Sequence, residues 1–227
     1  MAFLFYIPAR GGSKGIVDKN LQKIGKKSLV EIAVKFMCDS GFKDSTVLSS
    51  DSDKILEVGR AQEILCDKRS KSLASDKTTT AASIKEFIES DRLKNKLNKD
   101  DWVIIVEPTS PFRRQQTLLK LLKLIESDKF DSIFTTYSSS SVEWIAKEEL
   151  WIRKDNVNGS LSRRQSRPAK YFECGVFYAT KVKNITSESI IGNNSHCIIV
   201  DDIEALDVNS PLDLEICRTV FNQLNKA

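Results

Sequence analysis

The first residues that could do chemistry follow an apolar run near the start of the chain. Phe3 to Ile7 form a short apolar run, as in a buried strand, and the next segment combines glycines with cations. Glycines allow backbone N–H groups to turn towards an anion, and the cations supply the counter-charge. The pattern predicts a phosphate-binding loop, whose members are Arg10, Gly11, Gly12, Ser13, Lys14, Gly15, Lys19 and Asn20.

This loop is not a Walker loop. That motif needs Gly-Lys-Ser/Thr leading directly into a helix, whereas Lys14 precedes a glycine and the first convincing helical pattern begins at Ser28. A surface turn with solvated lysines is the alternative that glycine chemistry alone leaves open.

A second pair of residues has the chemistry of a metal site. Asp207 and Asn209 alternate with Leu206 and Val208, so in an extended chain the two polar side chains share one face. Hard oxygen ligands placed in this way suit Mg²⁺, which binds through a few protein oxygens together with phosphate and water. The sequence therefore predicts a magnesium site at Asp207 and Asn209.

A third candidate segment follows the strand predicted at 101–106, which is apolar on both faces and therefore central. In the segment from Glu107 to Arg113, two prolines flank Thr109 and Ser110. The prolines hold this segment in a rigid, non-helical conformation directly after the carboxyl end of the central strand. Ligands bind at such ends in open parallel sheets.

Together these segments resemble the motifs of the acylneuraminate cytidylyltransferases. The string from Pro8 to Gly15, followed by Lys19 and Asn20, resembles the opening signature of that family, and the segment 107–113 matches its Gln-Pro-Thr-Ser-Pro-Leu-Arg motif almost completely. The motifs occur in the family's order over nearly the whole chain. The resemblance implies an enzyme that transfers CMP from CTP to a nine-carbon sugar acid.

The resemblance also implies which residues surround the nucleotide and the metal. Arg69 and Thr80 are candidates because a similar family segment binds nucleotide, although Thr80 could instead belong to a loop that caps a helix at 81–88. Asp207 and Asn209 correspond to the two metal-associated aspartates of the family. The nucleotide set is Arg10, Gly11, Gly12, Ser13, Lys14, Lys19, Asn20, Arg69 and Thr80, and the catalytic set is Arg10, Lys14, Lys19 and Asp207.

The family resemblance also implies which residues bind the sugar, and an alternative role is open for one of them. The expected sugar-binding residues are Glu107, Thr109, Ser110, Arg113, Arg164 and Gln165. Arginine forks bind carboxylate and phosphate bidentately, which suits Arg113 and Arg164. Arg113 could instead only tie its loop to the following helix.

Several positions depart from the family's pattern, including Ser70, which replaces a proline. Val17 replaces a frequent proline, Glu107 a glutamine, Cys174 a frequent asparagine and Asn209 an aspartate. A carboxylate at 107 cannot donate the hydrogen bonds of an amide, and it could favour a sugar with an exposed amine or a differently placed hydroxyl. An amide at 209 can still ligate a metal, but without a full negative charge.

The implied reaction couples CTP to a 2-keto-3-deoxy sugar acid and releases pyrophosphate. Sialic acid or a relative such as legionaminic acid is the first candidate, and pseudaminic acid is an alternative. Octulosonic acid is disfavoured because the Gln-Gly-Asp-Glu-Pro motif of that sister family is missing. A catalytically weakened, nucleotide-binding regulatory module is the alternative from another functional class.

The elements that must position these residues alternate between strand and helix patterns. Strands are predicted at 3–7, 46–49, 64–66, 101–106 and 131–137, and helices after Ser28, after 50–53, at 81–88, at 115–127 and after Pro211. Ser28 with Glu31 forms a capping box, and Ser210 with Asp213 has the same spacing. Ser52 and Asp53 are assigned to capping, and Asp51 has no assigned role. We therefore expect one domain, residues 1–227, with a three-layer, Rossmann-like, doubly wound α/β fold and a mostly parallel sheet.

An inserted lobe is expected at about 138–170. Four serines at 138–141 mark its boundary, and Trp144 and Trp151 lie among charges without a long helical pattern. In the family an insertion at this point mediates dimerisation, so the resemblance implies a homodimer, although the tryptophans could form the lobe's own core.

The composition of the chain argues against several other classes of protein. The chain has 227 residues, 35 basic against 31 acidic side chains and a net charge of +4, which is too mild and too scattered for a nucleic-acid surface. No apolar run has the length of a membrane span, and no signal peptide is recognisable, so a cytosolic protein is expected. The five cysteines lack metal-ligand spacing and are expected to be reduced.

Overall fold

The core of the structure is a mixed sheet that carries the predicted site along one edge. The computed structural model describes residues 2–13, 15–70, 78–90, 93, 96–154, 167 and 169–226. Within these residues the main sheet has seven strands, in the order β11-β7-β10-β6-β1-β4-β5. Their bounds are β1 Phe3–Pro8, β4 Thr46–Ser50, β5 Leu65–Lys68, β6 Trp102–Ile105, β7 Ser132–Ser139, β10 Lys170–Lys181 and β11 Ser195–Ile199.

One strand runs against the others. β1 pairs in parallel with β4 and β6, β4 with β5 and β7 with β11, whereas β10 is antiparallel to both β6 and β7. The chain leaves β1 towards β4 and β5 and then returns to β6 on the other side of β1. A reversal of this kind opens a crevice at the carboxyl ends of the strands.

Alternating side chains of the central strands divide the core into two faces. Phe5, Ile7 and Ile104 pack against helices α1 (Leu29–Asp39), α2 (Asp53–Ala61) and α4 (Gln115–Glu126). Leu4, Tyr6, Val103 and Ile105 pack on the opposite face against α3 (Thr80–Glu89). Successive residues of a strand point to opposite faces, so the doubly apolar strands create helix, sheet and helix layers. This confirms the predicted three-layer, doubly wound α/β fold.

The two predicted capping boxes are confirmed. The Ser28 hydroxyl accepts from the Glu31 backbone N–H, and the Glu31 carboxylate accepts from the Ser28 backbone N–H. Ser210 and Asp213 exchange the same two hydrogen bonds at the start of α5 (Pro211–Leu224). Each box satisfies backbone donors that a helix start leaves free.

The capping role assigned to Ser52 and Asp53 is wrong in its detail. Ser52 occupies the N-cap position of α2, but its side chain makes no capping hydrogen bond. Asp53 is the first helical residue, and its carboxylate lies 2.7 Å from the Lys68 ammonium.

Two small hairpins complete the described structure. The strands β2 (Lys23–Ile24) and β3 (Lys27–Ser28) pack near α5, and β8 (Trp144–Lys147) pairs with β9 (Leu150–Arg153) inside the predicted lobe. The second hairpin exposes 52% of Trp144 and 68% of Trp151. The rest of the lobe lies largely outside the described residues, so the lobe stays a prediction. Among the described residues, no helix has the length and apolar content that crossing a membrane requires.

Candidate active site

A cavity of about 1060 Å³ opens at the carboxyl ends of the parallel strands. Its wall brings together most of the residues predicted from the sequence, although they come from five separate segments of the chain. These residues are Arg10, Ser13, Lys19, Asn20, Arg69, Thr80, Glu107, Thr109, Asp207 and Asn209. Lys14, Arg164 and Gln165 lie outside the described residues.

Four predicted residues lie near the cavity without lining it. Gly11 and Gly12 belong to the loop after β1, and Ser110 and Arg113 are buried in the bend after β6. The contacts of these four residues with substrate stay predictions.

The loop after β1 is held by hydrogen bonds from three directions. The Ala9 N–H donates to the Ser49 carbonyl at 2.9 Å, and the Asn20 side-chain amide donates to the Arg10 carbonyl at 2.9 Å. The Gly11 N–H donates to the Asp51 carboxylate at 2.8 Å. This amide therefore supports the loop and does not point freely to an anion. Asp51, which the sequence left without a role, is one of its anchors.

Gly11 and Gly12 form a matched pair for testing this packing. A Cβ on Gly11 would lie 2.8 Å from the Ser52 Cβ, whereas a Cβ on Gly12 would meet nothing within 4 Å. We expect Gly11→Ala to cost about 1–3 kcal/mol of unfolding free energy because the loop must move. Gly12→Ala should stay within about 0.5 kcal/mol of the wild type. Urea unfolding of both variants measures the difference, and equal stabilities would contradict the close packing at Gly11.

Asp207 and Asn209 share a face, as predicted. The Asn209 side-chain amide donates to Asp207 Oδ2 at 2.7 Å, while Asp207 Oδ1 is shielded from solvent and has no hydrogen-bond partner among the described residues. The intervening Val208 is buried, and its N–H donates to the Thr109 carbonyl at 2.9 Å. The free carboxylate oxygen suits a hard cation. In the described part of the chain, no group of three His, Cys, Asp or Glu side chains could hold a metal, so the protein offers few ligands.

Lys19 joins the loop after β1 to the metal-site segment. Its ammonium donates to the Val208 carbonyl at 3.0 Å, across 189 positions of sequence. Burial lowers the pKa of Lys19 from its ordinary value, and the charge of Asp207 opposes that shift. A desolvated ammonium interacts more strongly with a nearby anion than one in bulk water does.

Arg69 belongs to the same electropositive side. Its guanidinium donates to the Ser49 carbonyl at 2.8 Å, and its backbone N–H donates to the Ser50 carbonyl. Both bonds fix the side chain at the end of β4. Thr79 of the same loop caps α3 by accepting from the Ala82 N–H at 3.0 Å. The loop therefore caps the helix as the alternative expected, while Thr80 is the first residue of α3 and its contact with nucleotide stays a prediction.

Arg113 supports the bend after β6 from below. The side chain is 6% exposed and packs on the rings of Phe36 and Phe177, and one guanidinium nitrogen donates to the Glu107 carbonyl. Burial lowers the pKa of Arg113 to about 10. Arg113 therefore holds the start of its own loop, whereas the predicted alternative tied this loop to the following helix, and a contact with substrate stays a prediction.

Glu107 carries an unusual carboxyl group at the centre of the cavity wall. Burial, followed by the negative charge of Asp207, raises the pKa of Glu107 from 4.5 to about 7. Arg113 and Lys19 oppose this shift but do not cancel it.

The raised pKa of Glu107 should make the stability of the folded protein depend on pH. The unfolded chain loses the Glu107 proton near its ordinary pKa of 4.5, whereas the folded chain keeps it until about pH 7. Stability therefore falls as the pH rises through this window, by on the order of 3 kcal/mol, since one pKa unit corresponds to about 1.4 kcal/mol. We expect Glu107→Gln to gain stability relative to the wild type between pH 5 and pH 8. Thermal unfolding of the wild type and of Glu107→Gln at pH 5 and at pH 8 tests this. A stability difference between the two proteins that does not change with pH would contradict it.

The structure adds residues that the sequence analysis did not assign to the site. The same cavity is also lined by Tyr137 from β7 and by Glu173, Cys174, Gly175 and Tyr178 from β10. Burial raises the pKa of Tyr178, and the charges of Glu173 and Glu107 raise it further. Most of these residues lie in β10, whose antiparallel return to the site no local pattern indicated.

Comparison with known proteins agrees with this geometry. Residues 4–206 match the model of a family described as cytidylyltransferase. The N-acylneuraminate cytidylyltransferase A of Danio rerio is 26% identical over 93% of this chain and 49% of its own length. The pseudaminic acid cytidylyltransferase of Campylobacter jejuni is 24% identical over 97% of both chains.

A solved structure shows the same fold. The CMP:2-keto-3-deoxy-manno-octonic acid synthetase in complex with CTP superimposes with a TM-score of 0.67, at 14% identity, over 99% of this chain and 100% of its own. At this identity the likeness concerns the fold alone.

Proposed function

This chain belongs to the cytidylyltransferase family, and we propose that it transfers CMP from CTP to the anomeric hydroxyl of a nine-carbon 2-keto-3-deoxy sugar acid, releasing pyrophosphate. The observation that carries the proposal is that one cavity brings cations and carboxylates together. Arg10, Lys19 and Arg69 lie among its lining residues with Asp207, and the carboxylates Glu107 and Glu173 belong to the same wall. The cations suit a polyphosphate, and the carboxylates suit the hydroxyl groups of a sugar.

The cations are the groups that would bind the triphosphate. Lys19 is held in place by the Val208 carbonyl, and Asn20 fixes the backbone that carries Arg10. These anchors place positive charge before the substrate arrives, so little reorganisation accompanies the reaction. Lys14 belongs to the same predicted set, and Arg69 and Thr80 would contact the nucleotide from the far side.

The residues at 207 and 209 fit the metal that this chemistry uses. Asp207 offers an unpartnered, shielded carboxylate oxygen, and Asn209 adds an amide that can supply a second oxygen. When bound, Mg²⁺ would neutralise charge on the phosphates. Asp207 would hold it beside the position of the triphosphate, with the segment 207–209 fixed between Thr109 and Lys19.

In the proposed reaction the sugar's anomeric hydroxyl loses its proton to water and its oxygen forms a bond to the α-phosphorus of CTP, while the bond from this phosphorus to the pyrophosphate oxygen breaks. Negative charge builds on the phosphate oxygens, where Lys19 and Arg10 would stabilise it. No protein nucleophile is required, since positioning and charge stabilisation are sufficient for such a transfer. Thr109, Glu107 and Tyr178 would orient the sugar.

The lobe belongs to the same proposal. Trp144, Leu150 and Trp151 are exposed on the β8 and β9 hairpin, and aromatic side chains are enriched in the cores of interfaces. We propose that this surface forms a homodimer, with Arg164 and Gln165 of the lobe near a sugar site.

The direct test is pyrophosphate release from CTP and Mg²⁺ in the presence of N-acetylneuraminic, legionaminic, pseudaminic or octulosonic acid. Turnover of one nine-carbon acid is expected. Turnover of octulosonic acid alone would replace the proposed substrate. Absence of turnover across the panel, with CTP still bound, would favour the nucleotide-binding regulatory module.

A further inference from the structure

A buried carboxylate fastens the segment before Asp207 to the start of helix α4. Glu204 is 2% exposed and does not itself line the cavity, although residues 205–207, which follow it, do. Its Oε1 accepts a hydrogen bond from the Arg114 backbone N–H, and its Oε2 accepts one from the Thr117 hydroxyl, both at 3.0 Å. These contacts span 90 and 87 positions of the sequence, so they join two segments that no local pattern connects.

Glu204 supplies what the start of α4 does not supply for itself. Arg114 is the N-cap residue of α4, and its side chain makes no capping hydrogen bond. Its guanidinium pairs with the Asp201 carboxylate instead, with one nitrogen 3.1 Å from Oδ1. A helix start has N–H groups without partners in the helix, and it attracts negative charge. The Glu204 carboxylate therefore stabilises this helix start from a distant segment.

The turn that contains Glu204 does not need its side chain. The Asp201 carboxylate accepts from the Glu204 N–H at 2.9 Å, and the Asp201 carbonyl accepts from the Ala205 N–H at 2.9 Å. Burying a carboxylate is costly unless it is paired and hydrogen-bonded. Burial lowers the pKa of Arg113, and the charges of Glu107 and Glu204 oppose that shift. The contacts of the Glu204 side chain thus serve the junction with the chain after β6.

Asp207 lies between two anchors to that part of the chain. Three positions before it, Glu204 contacts the start of α4, and one position after it, the Val208 N–H donates to the Thr109 carbonyl at 2.9 Å. Thr109 and Arg114 both belong to the connection between β6 and α4. Two fixed points so close together leave the backbone at 207 little freedom to move relative to the bend after β6.

We propose that Glu204 is a positioning residue for the metal site, which holds Asp207 in place for a divalent cation. This inference rests on the proposed function and on the assignment of Asp207 to the metal. Removing a group that orients a metal ligand without touching the metal typically weakens metal binding roughly 10- to 100-fold. Because Glu204 acts through the backbone of residues 205–207, we expect an effect at the lower end of this range.

Binding of Mn²⁺, followed by its electron paramagnetic resonance signal, tests the inference without requiring turnover. The titrations use the full chain saturated with the α,β-methylene analogue of CTP. Glu204→Ala should raise the dissociation constant of Mn²⁺ about tenfold. Glu204→Gln should stay within about twofold of the wild type, because its carbonyl can accept from the Arg114 N–H and its amide can donate to the Thr117 hydroxyl.

Asp101→Ala is the matched control, since it also removes a buried, hydrogen-bonded carboxylate. Asp101 is 6% exposed and accepts from the backbone N–H groups of Ala2 and Asn98, directly before β6 and at the end of the strand away from the cavity. Its loss should lower the melting temperature, as the loss of Glu204 does, and leave the Mn²⁺ dissociation constant unchanged. The two variants therefore separate lost stability from lost positioning.

A second variant covers the case in which Glu204→Ala does not fold. Thr117→Val keeps the shape of the buried side chain and removes its hydrogen bond to Glu204. It should raise the Mn²⁺ dissociation constant about threefold, as expected for the loss of one hydrogen bond. Circular dichroism shows which variants are folded.

The outcomes separate this inference from the proposed function. A wild-type constant in folded Glu204→Ala or in Thr117→Val would overturn the positioning role, and so would Glu204→Gln binding as weak as that of Glu204→Ala. A wild type that binds Mn²⁺ no more tightly than Asp207→Ala would overturn it as well. Pyrophosphate release in any of these cases would retain cytidylyl transfer. Glu204-dependent Mn²⁺ binding without pyrophosphate release would support the positioning role and reject the transferase activity.

Discussion

Asp207→Ala is expected to lower kcat/KM for pyrophosphate release from CTP roughly a thousandfold, the largest effect of any single substitution considered for this protein. Asp207 supplies the shielded and unpartnered carboxylate oxygen of the site. Removing it leaves Asn209, an uncharged amide, as the remaining member of the predicted metal pair. The loss should therefore appear in kcat, because the stabilisation acts on charge that develops in the transition state.

The measurement is a Mg²⁺ titration of pyrophosphate release for the wild type and the variant. Asp44→Ala, at an exposed carboxylate in a short turn before β4, is the control and should behave like the wild type. Asn209→Asp should lower the Mg²⁺ concentration needed for half-maximal activity, since it restores a second negative charge. An Asp207→Ala enzyme with wild-type kcat and Mg²⁺ dependence would reject the metal assignment.

Lys19→Met is expected to reduce kcat roughly 100- to 1000-fold with a smaller change in KM for CTP. The ammonium is partly desolvated, as its lowered pKa records, and the Val208 carbonyl holds it beside Asp207. A positive charge fixed in this way stabilises phosphate charge without having to be reorganised. Methionine keeps much of the apolar stem and removes the charge, so the fold should be preserved.

Lys26→Met is the matched control because Lys26 is exposed in the β2 and β3 hairpin. Steady-state kinetics of both variants at saturating sugar acid separate kcat from KM. If Lys19→Met raised KM alone, Lys19 would contribute uniform binding and its catalytic assignment would be wrong.

Local patterns in the sequence were sufficient for the elements and for much of the site. The capping boxes at Ser28 and Ser210 were readable because a cap depends on residues three positions apart. The loop after β1 and the shared face of Asp207 and Asn209 were readable because each depends on a few adjacent residues, and phosphate binding by this loop stays a prediction. The family resemblance assigned these separate motifs to one predicted site.

Contacts between distant segments could not be read in this way. Asp51 anchors Gly11 across 40 positions, and Lys19 reaches Val208 across 189. Such partners depend on strand order and register, which no local pattern specifies. For the same reason, the sequence did not indicate that Arg113 would be buried under the Glu107 bend.

The sugar side of the cavity shows this division most clearly. The sequence by itself determined that Glu107 is a carboxylate at the end of a central strand. Only the tertiary structure decided that β10 returns antiparallel between β6 and β7 and so brings Glu173 and Tyr178 into the same wall as Glu107. The physical reason is that backbone hydrogen bonding permits either strand direction, and the choice depends on the packing of the whole sheet.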